Sequence, residues 1–96
     1  MRMTRLPLLK VLRDARSLLA LPDNNFGWSP WQDGPAALRD LDSVIERVRS
    51  GARLDKGEIA VLFAPTGPIQ EVSLSSGWPV RFQNLATLFD FAIAVA

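Results

Sequence analysis

The chain contains no cysteine, histidine or tyrosine in its 96 residues. Without cysteine it can form neither a disulfide framework nor a thiolate nucleophile. Without histidine it lacks the side chain that most often acts as a general base near neutral pH. The two absences together remove the usual ligands of zinc, copper and haem. We therefore expect a protein that holds no metal and no cofactor and that is not an enzyme.

The sequence also has no excess of charge of one sign. Eleven basic and ten acidic side chains leave a formal net charge of +1, so no overall field attracts nucleic acid or a membrane surface. The apolar run at residues 85–96 is too short to cross a bilayer and is interrupted by Asp90. With 48% apolar residues the composition is globular, and the length fits one domain over residues 1–96. We expect this domain in the cytoplasm.

The first 20 residues are basic, with Asp14 as their one acidic residue. Such a segment overlaps the description of an organellar transit peptide. Its apolar residues recur at helical spacing, however, and only Thr4 and Ser17 carry hydroxyl groups, which favours a first core helix. Lys10 and Arg13, with Asp14, interrupt the apolar region that a secretory signal would need.

Three segments have the apolar periodicity of amphipathic helices. The first runs from about Arg5 to Leu21. The second begins after Asp33, whose carboxylate can cap it, and ends before Gly51, a residue suited to a left-handed C-terminal turn. The third covers about Pro79 to Val95. Its inward stripe is predicted to consist of Phe82, Leu85, Phe89 and Ala92.

The third of these helices is apolar on its other faces as well. Val80, Leu88 and Phe91 lie outside the inward stripe, and Ile93 and Val95 add further apolar surface. A helix that is apolar around its circumference must lie at the centre of the fold or against another chain. Both a central position and a homodimer through this C-terminal helix are open on the sequence alone.

The segment between the second and third of these helices fits two short helices. Asp55 and Glu58 have the spacing of a capping box. Thr66 can cap the next helix with Pro68 in its first turn, and Gly77 can end it. The sequence thus predicts an all-α fold, a small bundle of four or five helices. The predicted core consists of Leu12, Leu38, Leu41, Ile45, Leu62, Phe63, Leu85 and Phe89.

A β-hairpin is the alternative for the same segment. Residues 59–64 and 69–75 would form its strands and residues 65–68 its turn. Val72 and Leu74 alternate with serines, as the residues of a half-buried strand do. This interpretation gives an α+β fold with the hairpin packed on helices.

Large rings and hydrogen-bonding side chains mark a candidate binding surface. Trp28 and Trp31 lie in an irregular linker, where they form either a lid over the helices or a patch that faces a partner. Gln70 and Glu71 could supply directional hydrogen bonds. The proposed surface consists of Trp28, Trp31, Thr66, Gln70, Glu71 and Trp78. In the alternative, Thr66 is only a helix cap and Trp78 only part of the core.

These residues favour a non-enzymatic module that binds another protein, such as a bacterial adaptor or a toxin-neutralising protein. A helix-turn-helix-like nucleic-acid binder is one alternative, built from residues 70–76, Gly77 and the helix from Pro79. Since Arg81 is the one basic residue of that helix, nucleic acid is not the expected partner. A small hydrolase that uses Glu71 and a nearby serine is the other alternative. Its candidate nucleophiles are Ser73, Ser75 and Ser76.

The segment Leu62-Phe63-Ala64-Pro65-Thr66-Gly67-Pro68-Ile69-Gln70-Glu71, followed by Gly77-Trp78, resembles a stretch of small bacterial proteins of no known activity. That stretch has the pattern Leu-Phe-x-Pro-Thr-Gly-x-Ile-Gln-Glu and then Gly-Trp. The resemblance implies a bacterial, cytosolic protein and carries over no site and no mechanism.

Overall fold

A computed structural model describes residues 3–96, which form five α-helices and no strand. Met1 and Arg2, part of the basic N-terminal segment, lie outside the described residues. A short 3-10 turn at Met3–Arg5 leads into the first helix. The helices are α1 (Leu6–Leu19), α2 (Gly34–Arg49), α3 (Lys56–Phe63), α4 (Pro68–Ser76) and α5 (Pro79–Val95). The all-α prediction is confirmed.

The ends of α2 follow from local chemistry that the sequence predicts. The carboxylate of Asp33 accepts a hydrogen bond of 2.9 Å from the amide of Ala36, which satisfies one of the free N–H groups of the first turn. Pro35 lies in the same turn, where its missing N–H costs nothing. Beyond the last turn, Gly51 has a φ of 80°, a left-handed conformation that glycine adopts without steric cost.

The hairpin predicted as an alternative for residues 59–75 is wrong, because this segment forms α3 and α4. Asp55 caps α3 by accepting a 3.1 Å hydrogen bond from the amide of Glu58. Gly77 ends α4 in the left-handed conformation, with φ of 87°. The start of α4 departs from expectation. Gly67, not Thr66, is its N-cap residue, and no side chain caps it there.

The helices pack around one hydrophobic cluster. Helix α1 contacts α2 on one side and α5 and α4 on another, while α3 and α4 pack on each other and on α5. Of the predicted core, Leu12, Leu41, Phe63, Leu85 and Phe89 are buried. Leu38, Ile45 and Leu62 are half-buried against the cluster. The Phe63 and Phe89 rings stack with centroids 4.2 Å apart, which joins α3 to α5.

Helix α5 has the bounds predicted for it, and its predicted inward stripe is buried. Phe82 and Phe89 are each 3% exposed. On the same helix, Val80, Leu88, Phe91 and Val95 are exposed. None of the helices in residues 3–96 is long and apolar enough to cross a membrane.

Candidate functional site

Two of the three tryptophans are buried. Trp31 is 7% exposed and its indole N–H donates a 2.8 Å hydrogen bond to the carboxylate of Asp40 on α2. Trp78 is equally buried and its indole N–H donates a 2.9 Å bond to the side-chain oxygen of Asn24. Since a buried indole that already has its hydrogen-bond acceptor offers little to a partner, both rings serve the packing of the fold.

Trp28 has the opposite environment. It is 77% exposed and lies in the linker between α1 and α2. The neighbouring main chain is folded by Ser29, whose hydroxyl donates to the carbonyl of Phe26 at 3.0 Å. The structure therefore divides the two linker tryptophans: Trp31 covers the core, and Trp28 presents its ring to solvent.

The polar part of the sequence-predicted surface lies at the start of α4. The amide of Thr66 donates a hydrogen bond to the side-chain oxygen of Gln70, which holds the turn that leads into the helix. Thr66 has a φ of 61°, an uncommon conformation for a β-branched residue. Gln70 and Glu71 are half-buried. Gln70 thus acts within the fold, and its amide oxygen is not free for a partner.

Two of the three candidate serines near Glu71, Ser73 and Ser76, take part in the fold. Ser73 is fully buried and its hydroxyl donates a 2.7 Å hydrogen bond to the carbonyl of Gln70. The hydroxyl of Ser76 accepts a 2.9 Å bond from the amide of Asn25, which ties the linker to the end of α4. These bonds give both hydroxyls a structural role. Across residues 3–96, no cluster of three acidic side chains could hold a metal ion.

Four of the exposed large apolar side chains lie on α5, and we define them as its outer face: Val80, Leu88, Phe91 and Val95. Their exposed fractions are 72%, 54%, 73% and 51%. Beside this face, α5 and α1 enclose a shallow groove of about 320 Å³. The groove is lined by Pro7, Lys10, Val11, Leu88, Phe91, Ala92 and Val95.

The sequence does not predict that α1 forms one wall of this groove. Val11 and Ala92 are buried and form its floor, and Pro7 and the stem of Lys10 form the wall on α1. The ammonium group of Lys10 is held by Asp14 at 2.9 Å, one turn along α1. The signal in the sequence is the apolar circumference of α5. The packing of α1 beside α5 is a tertiary feature, which the sequence pattern does not predict.

Two ion pairs lie on α1 and α2, outside the residues that line the groove. Arg16 of α1 donates to both carboxylate oxygens of Asp42 of α2, at 2.5 and 3.1 Å, and these hydrogen bonds lower the pKa of Asp42. Within α2, hydrogen bonds from Arg49 lower the pKa of Glu46 in the same way. Because all four groups are exposed, each pair contributes little to stability.

The arrangement can bind an apolar surface. It offers one aromatic ring and three branched side chains on α5, with a groove beside them. In comparisons with known proteins, no protein-family model matches this chain, and neither a curated protein nor a solved structure shows significant similarity to it.

Proposed function

We propose that this protein is a non-enzymatic module that recognises another protein through the outer face of α5. One observation carries the proposal. A single helix fills the core with Phe82, Phe89 and their neighbours and, on its other side, exposes Leu88 and Phe91 to water. Contiguous apolar surface of this kind marks interaction sites on soluble proteins. An adaptor or toxin-neutralising role in the bacterial cytoplasm suits a small module with such a face.

The magnitude of the apolar contribution decides what kind of complex to expect. Burying an exposed Val, Leu or Phe side chain contributes roughly 1.5–3 kcal/mol, and the four side chains of this face are only partly exposed, so together they supply about 4–8 kcal/mol. Association itself costs on the order of 4–15 kcal/mol. This contribution offsets only the lower part of that cost, so the outer face of α5 supports at most a weak, reversible complex unless the partner adds apolar area or polar contacts.

A nucleic-acid partner fits this surface poorly. Helix α4, Gly77 and α5 do form consecutive helices joined by a glycine turn. A helix that reads DNA needs basic and polar side chains on its outer face, because phosphate neutralisation supplies much of the affinity. Arg81 is the one basic side chain of α5, and the exposed side of the helix carries Leu88 and Phe91.

The hydrolase alternative is also weaker than protein binding. A serine nucleophile needs a base within hydrogen-bond reach and a cleft for the substrate. Ser73 is buried against the main chain of its own helix, and the hydroxyl of Ser76 is engaged by Asn25. Glu71 forms no hydrogen bond with either of these serines in the structure.

The test is capture of a partner by immobilised wild-type protein and by matched variants. Phe91→Asp places a charge in the middle of the proposed face, whereas Val61→Asp places the same charge at a comparably exposed valine of α3. We expect a stoichiometric partner that binds wild type and Val61→Asp and binds Phe91→Asp at least tenfold more weakly. The interaction should be reproduced with both purified proteins.

Two results would contradict the proposal. In the first, the partner binds Phe91→Asp as tightly as wild type and is lost with Trp28→Ala, which would move the site to the linker. In the second, the protein binds duplex DNA with a strong salt dependence that Arg81→Ala abolishes. Circular dichroism of each variant shows whether the fold is intact.

A further inference from the structure

We propose that the partner for which the outer face of α5 is built is a second copy of this chain. The two α5 helices would pack antiparallel about a two-fold axis. This inference rests on the proposed function, since it assumes that the face binds protein, and it goes further by naming the occupant. Three properties of the face support it: its spacing, its shape and its charge.

The spacing of the exposed side chains is that of a helix–helix seam. Asn84, Leu88, Phe91 and Val95 follow each other at intervals of four, three and four residues, the pattern of the a and d positions of a coiled coil. All four are exposed. An axis between Leu88 and Phe91 places Leu88 of each copy opposite Phe91 of the other. The same axis places Asn84 opposite Val95, at the two ends of the seam.

The shape of the face is complementary to itself. Phe91 projects from α5 with 73% of its surface exposed, and the groove floored by Val11 and Ala92 lies directly beside it. A two-fold interface requires that the same surface supply both the projection and the recess. Here the Phe91 ring of one copy can enter the groove between α1 and α5 of the other, and the contact is reciprocated.

The charge distribution permits the outer faces of two identical chains to approach each other. Across a two-fold axis each group near the axis approaches its own copy, so a charged seam would repel itself. Among the residues that line the groove, Lys10 is the charged one, and Asp14 neutralises it at 2.9 Å. Of the two charged residues of α5, Asp90 lies on a different side of the helix, and Arg81 is in line with Leu88 but two turns before it, so the antiparallel arrangement places the two copies of Arg81 at opposite ends of the seam. A net charge of +1 adds little repulsion between whole molecules.

The size of the seam sets the expected strength. Helix α5 has 17 residues and is therefore about 25 Å long. Two such helices with the flanking groove form an interface below the roughly 800 Å² per partner of a standard complex. An interface of this size belongs with the weak, transient complexes, so we expect a dimer in rapid exchange with monomer.

Sedimentation velocity of the whole chain, from about 5 to 500 μM, measures this equilibrium directly. Wild type and Val61→Asp should shift from monomer to dimer across the range. Phe91→Asp should form less dimer than wild type at every concentration, with an apparent dissociation constant raised at least tenfold. Should Phe91→Asp fail to fold, Phe91→Ser provides the same test with a smaller perturbation.

Cross-linking gives a second readout that does not depend on the fold tolerating a charge. Because the chain has no cysteine, single-cysteine variants report one position each. The proposed register brings Leu88 of one copy close to Leu88 of the other. Leu88→Cys should therefore form a disulfide-linked dimer at least tenfold faster than Val61→Cys under the same mild oxidation.

The possible outcomes separate this inference from the proposed function. A wild-type protein that stays monomeric at the highest concentration overturns the homodimer, as does a dimer that survives Phe91→Asp or in which both cysteine variants cross-link equally. If such a monomer still binds a different purified protein through Phe91, the proposed function stands without the homodimer. A chain that neither forms a dimer nor binds another protein through Phe91 contradicts both the homodimer and the proposed function.

Discussion

At the residue scale, Asn24 shows what a sequence does not reveal. The sequence indicates only a turn at this position. In the structure, its side-chain oxygen accepts from the indole of Trp78, 54 residues away, and its amide donates to the carbonyl of Leu18 at 2.7 Å. A hydrogen bond between distant segments depends on how the helices pack, and no local periodicity reports it. The structural role of Asn24 therefore depends on the tertiary fold and cannot be predicted from the local sequence.

The tryptophans illustrate the same limit. The number of indole rings predicts a large contribution to packing or to binding, but the linker has no periodicity that could assign each ring to one of these roles. Tertiary contacts decide which ring packs in the core and which is exposed. Trp31 reaches Asp40 and the core, whereas Trp28 remains in solvent. Of the predicted surface, the indoles of Trp31 and Trp78 belong to the interior, and Thr66 and Gln70 hold a turn.

Alanine substitution of these two linker residues should give very different stabilities. Trp31→Ala removes a buried ring and leaves a cavity, so we expect it to lower the free energy of unfolding by about 3 kcal/mol. Trp28→Ala removes an exposed ring and should change it by less than about 0.5 kcal/mol. Urea unfolding followed by circular dichroism measures both values, and equal losses would show that Trp28 also packs in the core.

At the element scale, apolar periodicity predicts the long helices, whereas the short helices are predicted only from the residues at their ends. Helices α2 and α5 each span more than four turns, so their apolar stripes repeat often enough to exclude a strand. Helices α3 and α4 have eight and nine residues, which is too few turns for periodicity to decide between helix and strand. The residues at their ends indicate that both segments are helices. The carboxylate of Asp55 caps the start of α3, and the left-handed Gly77 ends α4.

Two glycines near these ends should respond oppositely to alanine. A β-carbon at Gly67 would lie 2.6 Å from the carbonyl oxygen of Val61 and 2.8 Å from that of Ala64, and both are main-chain atoms that can move only with the turn. We expect Gly67→Ala to destabilise the protein by roughly 1–3 kcal/mol. Gly57 lies in the first turn of α3, where the nearest atom is 3.4 Å from the added carbon. Gly57→Ala should stabilise by about 0.5–1 kcal/mol.

Thermal unfolding of both variants beside wild type checks this pair. Because the two substitutions add the same methyl group to neighbouring helices, each serves as the control for the other. A stability loss of similar size at both positions would mean that the turn before α4 is not constrained by the carbonyl groups of Val61 and Ala64.

At the scale of the whole molecule, the sequence locates the candidate face only in part. The apolar circumference of α5 indicates either a central helix or a helix against another chain, and both were left open. The fold shows that α1, α3 and α4 cover one side of α5 while its outer face is exposed. A chain of this size has too few helices to cover a central helix on all sides. Which side stays uncovered is a property of the assembled fold, and the spacing of residues along one helix does not predict it.

The pH dependence of stability is also a property of the whole molecule. Hydrogen bonds from Arg16 and Arg49 lower the pKa of Asp42 and Glu46. A carboxylate with a lower pKa in the folded protein stabilises it above the unfolded pKa, and this contribution is lost as the pH falls through the folded value. Since the chain has no histidine, no side chain of ordinary pKa titrates between about pH 5 and 8.

We therefore expect the urea midpoint to stay constant from about pH 6 to 8 and to fall below about pH 4.5. In the double variant Asp42→Asn with Glu46→Gln this fall should be smaller. The difference in stability between wild type and variant should be greatest at neutral pH and should vanish in acid. High salt should reduce it, because both ion pairs are exposed and therefore screened. A difference that stays constant down to about pH 3 would mean that these carboxylates stabilise the fold by packing and not by charge.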